Sequence, residues 1–76
     1  MINDFNTIKY QDRLMTTFVI ENNHYTKEEF NNGQIIYWQT NYSDDVILQV
    51  KDYGEIERIL NYYLRTEKLK RVKKNE

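Results

Sequence analysis

The stretch Tyr25-Thr26-Lys27-Glu28-Glu29-Phe30-Asn31-Asn32-Gly33 carries a compact helix signature, and that reading sets the element order of the whole chain. Thr26 stands three residues before Glu29, the spacing of a capping box in which each side chain satisfies the other residue's backbone N–H. Tyr25 before the cap and Phe30 at the fourth helical position form a hydrophobic staple. Gly33 falls where a left-handed residue ends a helix. One or two turns are all that fit.

On the N-terminal side, residues 14–21 (LMTTFVIE) are rich in β-branched and aromatic side chains and read as a strand that Asn22-Asn23 stops. Leu14, Thr16, Phe18 and Ile20 share one of its faces; Met15, Thr17, Val19 and Glu21 share the other. Residues 1–13 read either as a short helix capped by Asp4, with Phe5 and Ile8 on its face, or as an edge strand turning at Gln11-Asp12. The helix is the preferred reading.

On the C-terminal side, residues 34–40 and 46–51 are two strands joined by the polar loop Asn41-Tyr42-Ser43-Asp44-Asp45. Folding them as a hairpin pairs Thr40 with Val46, Trp38 with Leu48 and Ile36 with Val50. Residues 53–72 form a long helix: Asp52 with Glu55 is a second capping box, and Ile56, Ile59, Leu60 and Tyr63 recur at helical spacing. The expected fold is therefore α+β, with a three-stranded antiparallel sheet and the long C-terminal helix on one face. The short helix lies between the first two strands, and the N-terminal segment is a helix or an edge strand.

One helix covers one face. The expected core is Leu14, Phe18, Ile20, Ile36, Trp38, Leu48 and Val50 against Ile56, Leu60 and Tyr63. That arrangement leaves Met15, Val19, Ile35, Tyr37 and Ile47 on an open face, and contiguous apolar surface on a small protein marks a contact. The competing arrangement folds Phe5, Ile8 and Tyr10 of the N-terminal segment over it. The partner-binding residues expected are Val19, Ile35, Tyr37 and Ile47, with Tyr42, Asp44 and Asp45 at the rim.

Composition limits the remaining options. The 76 residues allow one small domain over 1–76, with residues 68–76 a basic helix end or frayed tail. Seven Tyr, three Phe and one Trp argue against a wholly disordered chain, despite 30% charged residues. No Cys is present, which excludes disulfide scaffolds and thiolate metal sites. No apolar run approaches a membrane span and the polar start is no signal peptide, so a cytoplasmic location is expected. The abundance of Ile, Asn, Lys and Tyr, with no Ala or Pro, points to an A/T-rich genome such as that of a low-GC bacterium or its phage.

Charge is unevenly placed. Residues 1–64 hold five basic against ten acidic side chains; residues 65–76 hold six against two. Lys68, Lys70, Arg71, Lys73 and Lys74 on the terminal helix could contact phosphates without reading bases, though basic residues also suit a helix C-terminus. Catalytic equipment is sparse. One His (His24) and one Ser (Ser43) permit a Ser43–His24–Asp44 or Asp45 arrangement on paper, and His24 with Glu28 or Glu29 and Arg13 permits acid–base ribonuclease chemistry. Asp44-Asp45 lacks the spacing of a calcium loop, and one His is too few for zinc. No metal or cofactor is expected.

The sequence therefore reads as a non-enzymatic, cytoplasmic protein-binding module, an accessory or inhibitor protein of the kind phages and mobile elements encode. It would occlude a partner protein, or self-associate, through the open sheet face. The alternative is a nucleic-acid-associated regulator using the basic C-terminal helix.

Overall fold

The computed structural model describes the backbone of residues 2–40 and 47–74 and the side chains through residue 67. The sheet has five strands, β1 (Ile2–Lys9), β2 (Arg13–Ile20), β3 (Asn23–Phe30), β4 (Ile35–Thr40) and β5 (Ile47–Val50). They lie in sequence order, each antiparallel to the next, and are followed by one helix, α1 (Gly54–Lys74). The three-stranded sheet with a short helix between its first two strands is thereby corrected: residues 25–30 form the middle strand, and the N-terminal segment is an edge strand.

Residues 23–30 are entered and left by hairpin turns, and Gly33, expected to end a helix, serves the second of them. Glu21 and Asn22 both have positive φ, 48° and 71°, the backbone of a two-residue type I′ turn, which matches the twist of the strands it joins. That turn sends the chain straight back along β2, with Phe18 opposite Tyr25 and Thr16 opposite Lys27. Gly33 does adopt the left-handed region, at φ 94°, but in the tight loop between β3 and β4. There Gly33 N–H donates to the Phe30 carbonyl at 2.9 Å and Phe30 N–H donates to the Gln34 carbonyl at 2.9 Å. A glycine at this position of a three-residue loop meets the same need for positive φ as at a helix end.

The first hairpin closes through Tyr10 N–H on the Arg13 carbonyl at 2.8 Å. Its tip is tied to the β3–β4 loop, because Asn31 donates from its backbone to Asp12 and from its side chain to Gln11, each at 3.0 Å. Within β1 the register shifts between Asn3 and Asn6, and Asp4 sits at φ 53°. This bulge bends the outer edge of the sheet.

α1 crosses one face diagonally. At its start Tyr53 stacks on Tyr37 of β4, with ring centroids 4.4 Å apart; further along, Tyr63 meets Phe5 of β1 at 5.0 Å. Between them Leu60 inserts into the core with Ile2, Phe18, Ile20 and Tyr37. Phe18 and Leu60 are 1% exposed, and burying each side chain contributes roughly 2–3 kcal/mol. Among the described residues no helix is long and apolar enough to cross a membrane.

The register of β4 on β5 is the second correction. Tyr37 pairs with Val50 and Gln39 with Leu48, one residue away from the expected pairing of Trp38 with Leu48. A one-residue slip exchanges the faces of a strand. Ile35 and Tyr37 therefore lie on the helix side, where Tyr37 is completely buried, while Ile36 and Trp38 point to the other face.

Candidate partner-binding face

The face opposite α1 follows from the register. Opposite one another across the strands lie Ile8, Met15, Glu28 and Ile36 in one row, and Asn6, Thr17, Thr26, Trp38 and Gln49 in the next. A third row runs from Asn3 through Val19, His24 and Thr40 to Ile47. Met15, Val19, Ile36 and Trp38 are half-buried, and Ile8 and Ile47 are exposed. No element of the described residues covers this face, and the N-terminal segment, paired edge-on to β2, does not fold over it.

The surface is hollowed at its centre, where short threonines separate larger side chains. A hollow of about 460 Å³ is lined by Met15, Thr26, Glu28, Trp38, Thr40 and Ile47. A smaller one, about 300 Å³, lies beside Val19 and His24 and shares Thr26 and Thr40.

Glu28 organises one end of the face. Its Oε1 accepts from the Trp38 indole N–H at 2.6 Å and its Oε2 from Arg13 Nε at 2.7 Å. Arg13 also bonds Asp12 at 3.0 Å and lies over the Tyr10 ring, 4.6 Å from its centroid. The Glu28 side chain is 16% exposed, so its charge is compensated where it lies and the indole is held in one orientation. Glu28 of the central strand is thus satisfied from the strands on either side, by Arg13 of β2 and Trp38 of β4. On the helix side, Lys27 pairs with Glu29 at 3.1 Å and lies 5.7 Å from the Tyr37 ring.

Of the residues expected to bind a partner, Val19 and Ile47 lie on the open face in one row, with β3 and β4 between them. Ile35 and Tyr37 lie on the opposite face, and Tyr42, Asp44 and Asp45 lie outside the described residues. Met15 lies on this face as expected, and the structure adds Trp38, Ile36 and Ile8. Trp38 escaped sequence reasoning because adjacent aromatic residues on a strand point to opposite sides, and nothing local says which enters the core.

Among the described residues the buried Tyr37 hydroxyl has no hydrogen-bond partner. Burial, joined by the nearby Glu57, Glu29 and Tyr53, pushes its pKa well above the ordinary tyrosine value.

The arrangements considered for catalysis are not assembled. Glu28 and Glu29 are on opposite faces. His24 shares a face with Glu28 but stands four residues along the strand, roughly 13 Å away at the rise of a β-strand. Ser43 is outside the described residues, among which no group of acids and His could hold a metal ion. Lys68, Lys70, Arg71, Lys73 and Lys74 continue α1 through its last turns, and their side chains lie beyond the described set. Neither protein-family models nor curated proteins nor solved structures match the chain.

Proposed function

We propose that this protein works in the cytoplasm by binding, taking a protein partner on the sheet face opposite α1 and thereby occluding that partner's surface. The observation that carries the reading is Trp38: a tryptophan held half-exposed among Met15, Ile36 and Ile47, with its N–H already bonded to Glu28. An aromatic side chain fixed before contact loses little entropy on binding, and tryptophans concentrate binding energy at interfaces. Because Arg13 neutralises Glu28, an apolar partner patch can approach without meeting an unpaired charge.

The size of the face sets its demands. Five strands at about 4.8 Å spacing and up to eight residues long give roughly 500 Å² in plan. A standard interface takes about 800 Å² per partner, so adjoining loops contribute to a stable complex.

The test compares the wild-type chain with the Val19→Asp/Ile47→Asp double variant in capture from host lysate after nuclease treatment. The wild type retains a stoichiometric protein and the variant, with an unchanged circular dichroism spectrum, does not. The purified partner also shifts Trp38 emission to shorter wavelength, which is readable because Trp38 is the one tryptophan. A partner held equally by the folded variant removes this face from consideration. Recovery of nucleic acid that is lost on deleting residues 68–76 transfers the function to the basic helix end.

A further inference from the structure

The two edges of the sheet are built differently. β1 carries the devices that discourage an added strand: a bulge between Asn3 and Asn6, a left-handed Asp4, and Asn3, Asp4, Asn6 and Lys9 along its length. α1 also packs against it. β5 has none of these. Ile47-Leu48-Gln49-Val50 pairs with β4 in unbroken register, contains no charge and no proline, and among the described residues has another strand on one side only. It presents an exposed apolar side chain on each face: Ile47 is 61% exposed on the open face and Leu48 is 56% exposed on the helix face. A regular, uncharged edge with exposed apolar side chains is a template for a further strand.

We propose that this edge pairs with the β5 of a second copy, antiparallel about a twofold axis normal to the sheet, to form a continuous ten-stranded sheet. The added strand must bring a free edge of its own, and β5 is the unguarded edge that the described part of the chain supplies. Self-pairing brings no like charges together within the strand, and the whole chain carries a formal net charge of only −1.

Parity restricts the register. Directly opposed residues point to the same face of a sheet, and Leu48 and Val50 lie on the helix side while Ile47 and Gln49 lie on the other. Leu48 therefore meets Leu48 or Val50 of the second copy, never Gln49. Both permitted registers, centred on Leu48 or on Gln49, put apolar side chains together on the helix side. The contact is small beside a standard interface, so association is weak and concentration-dependent. It leaves most of the open face free.

Sedimentation equilibrium from about 5 µM to about 1 mM brackets the range in which so small an interface titrates. The wild type passes from monomer to dimer mass, and the amides of residues 47–50 gain hydrogen-exchange protection as concentration rises. The Leu48→Lys variant dimerises at least tenfold more weakly. Mixing it with the Leu48→Glu variant restores a heterodimer, because the opposite charges at residue 48 of the two copies then lie directly opposite in the register centred on Leu48, or as diagonal neighbours in the one centred on Gln49. A wild type that stays monomeric throughout overturns the proposal. So does a dimer that Leu48→Lys leaves intact and Val19→Asp abolishes, which would place self-association on the open face. Should the Leu48 variants misfold by circular dichroism, the exchange behaviour of the wild type decides alone: unchanged protection at residues 47–50 in a dimer refutes edge pairing.

Discussion

Replacing Tyr37 by Phe should stabilise the protein. Tyr37 is completely buried, its ring stacked on Tyr53 and lying near Lys27, and its hydroxyl has no hydrogen-bond partner among the described residues. A buried hydroxyl that loses water without gaining a partner costs about 1–3 kcal/mol. Phe keeps the ring, the stack and the contact with Lys27, and gives up only the dispersion contacts of one oxygen, a few tenths of a kcal/mol at about 0.1–0.2 per atom pair. The net gain is about 1 kcal/mol, or roughly 4–8 °C in Tm for a domain of this size. Thermal and urea unfolding followed by circular dichroism at pH 7 measure it. A second signature lies at high pH. The folded pKa of Tyr37 is raised above its unfolded value. Its contribution is thus constant below about pH 10, where the unfolded chain begins to ionise, and is lost as pH rises toward the folded pKa. The advantage of the Phe variant should accordingly widen above pH 10. If Tyr37→Phe instead costs 1 kcal/mol or more, the hydroxyl is well bonded and the reasoning fails.

Tyr37→Asp, by contrast, puts an unpaired charge into the core, and should abolish the cooperative thermal transition rather than probe binding. Glu28→Ala leaves the Trp38 N–H without its acceptor and should cost about 2 kcal/mol in urea unfolding, with a change in Trp38 emission. Gly33→Ala forces a side chain at φ 94° and should lower stability by about 1 kcal/mol despite the open space around it, as read from the shift in urea midpoint. Ile47→Asp sits at an exposed position and should change stability by no more than about 0.5 kcal/mol while weakening partner capture.

Legibility in the sequence followed the type of signal. The run LMTTFVI is a strand with Phe18 and Ile20 turned inward because period-two apolar alternation records burial directly. The long helix, with Leu60 at its buried centre, rests on a similar periodic record. Residues 25–30 have no such record. Their polar side chains are satisfied by Arg13, Trp38 and one another only after the strands meet, so the local capping pattern was the stronger cue and tertiary pairing overrode it. The cue that could have corrected it is the two-residue separation Glu21-Asn22 between runs of equal length, in which Asn favours positive φ. With residues 25–33 read as a helix, the expected open face draws on three strands instead of five, and the expected register, one residue off between β4 and β5, puts Tyr37 on it and Trp38 off it.

The polar central strand has a consequence for how the face is specified. A strand flanked on both sides normally gains stability from apolar burial; Lys27, Glu28 and Glu29 forgo much of it, and ion pairs at such sites add little net stability. What they add is discrimination between registers. Sliding β3 by one residue against β2 would turn Glu28 under α1 and Lys27 to the open face, separating Glu28 from both Arg13 and Trp38. That error is costly in a way that exchanging one apolar residue for another is not. The same carboxylate thus fixes the pairing of β2, β3 and β4 and the orientation of the one tryptophan on the uncovered face. Glu28→Gln separates the two roles, since the amide oxygen can still accept from Trp38 while the charge opposite Arg13 is gone. Native Trp38 emission with reduced stability is the expected result; a Trp38 that moves would show that the ion pair, and not the indole bond, holds the face in shape.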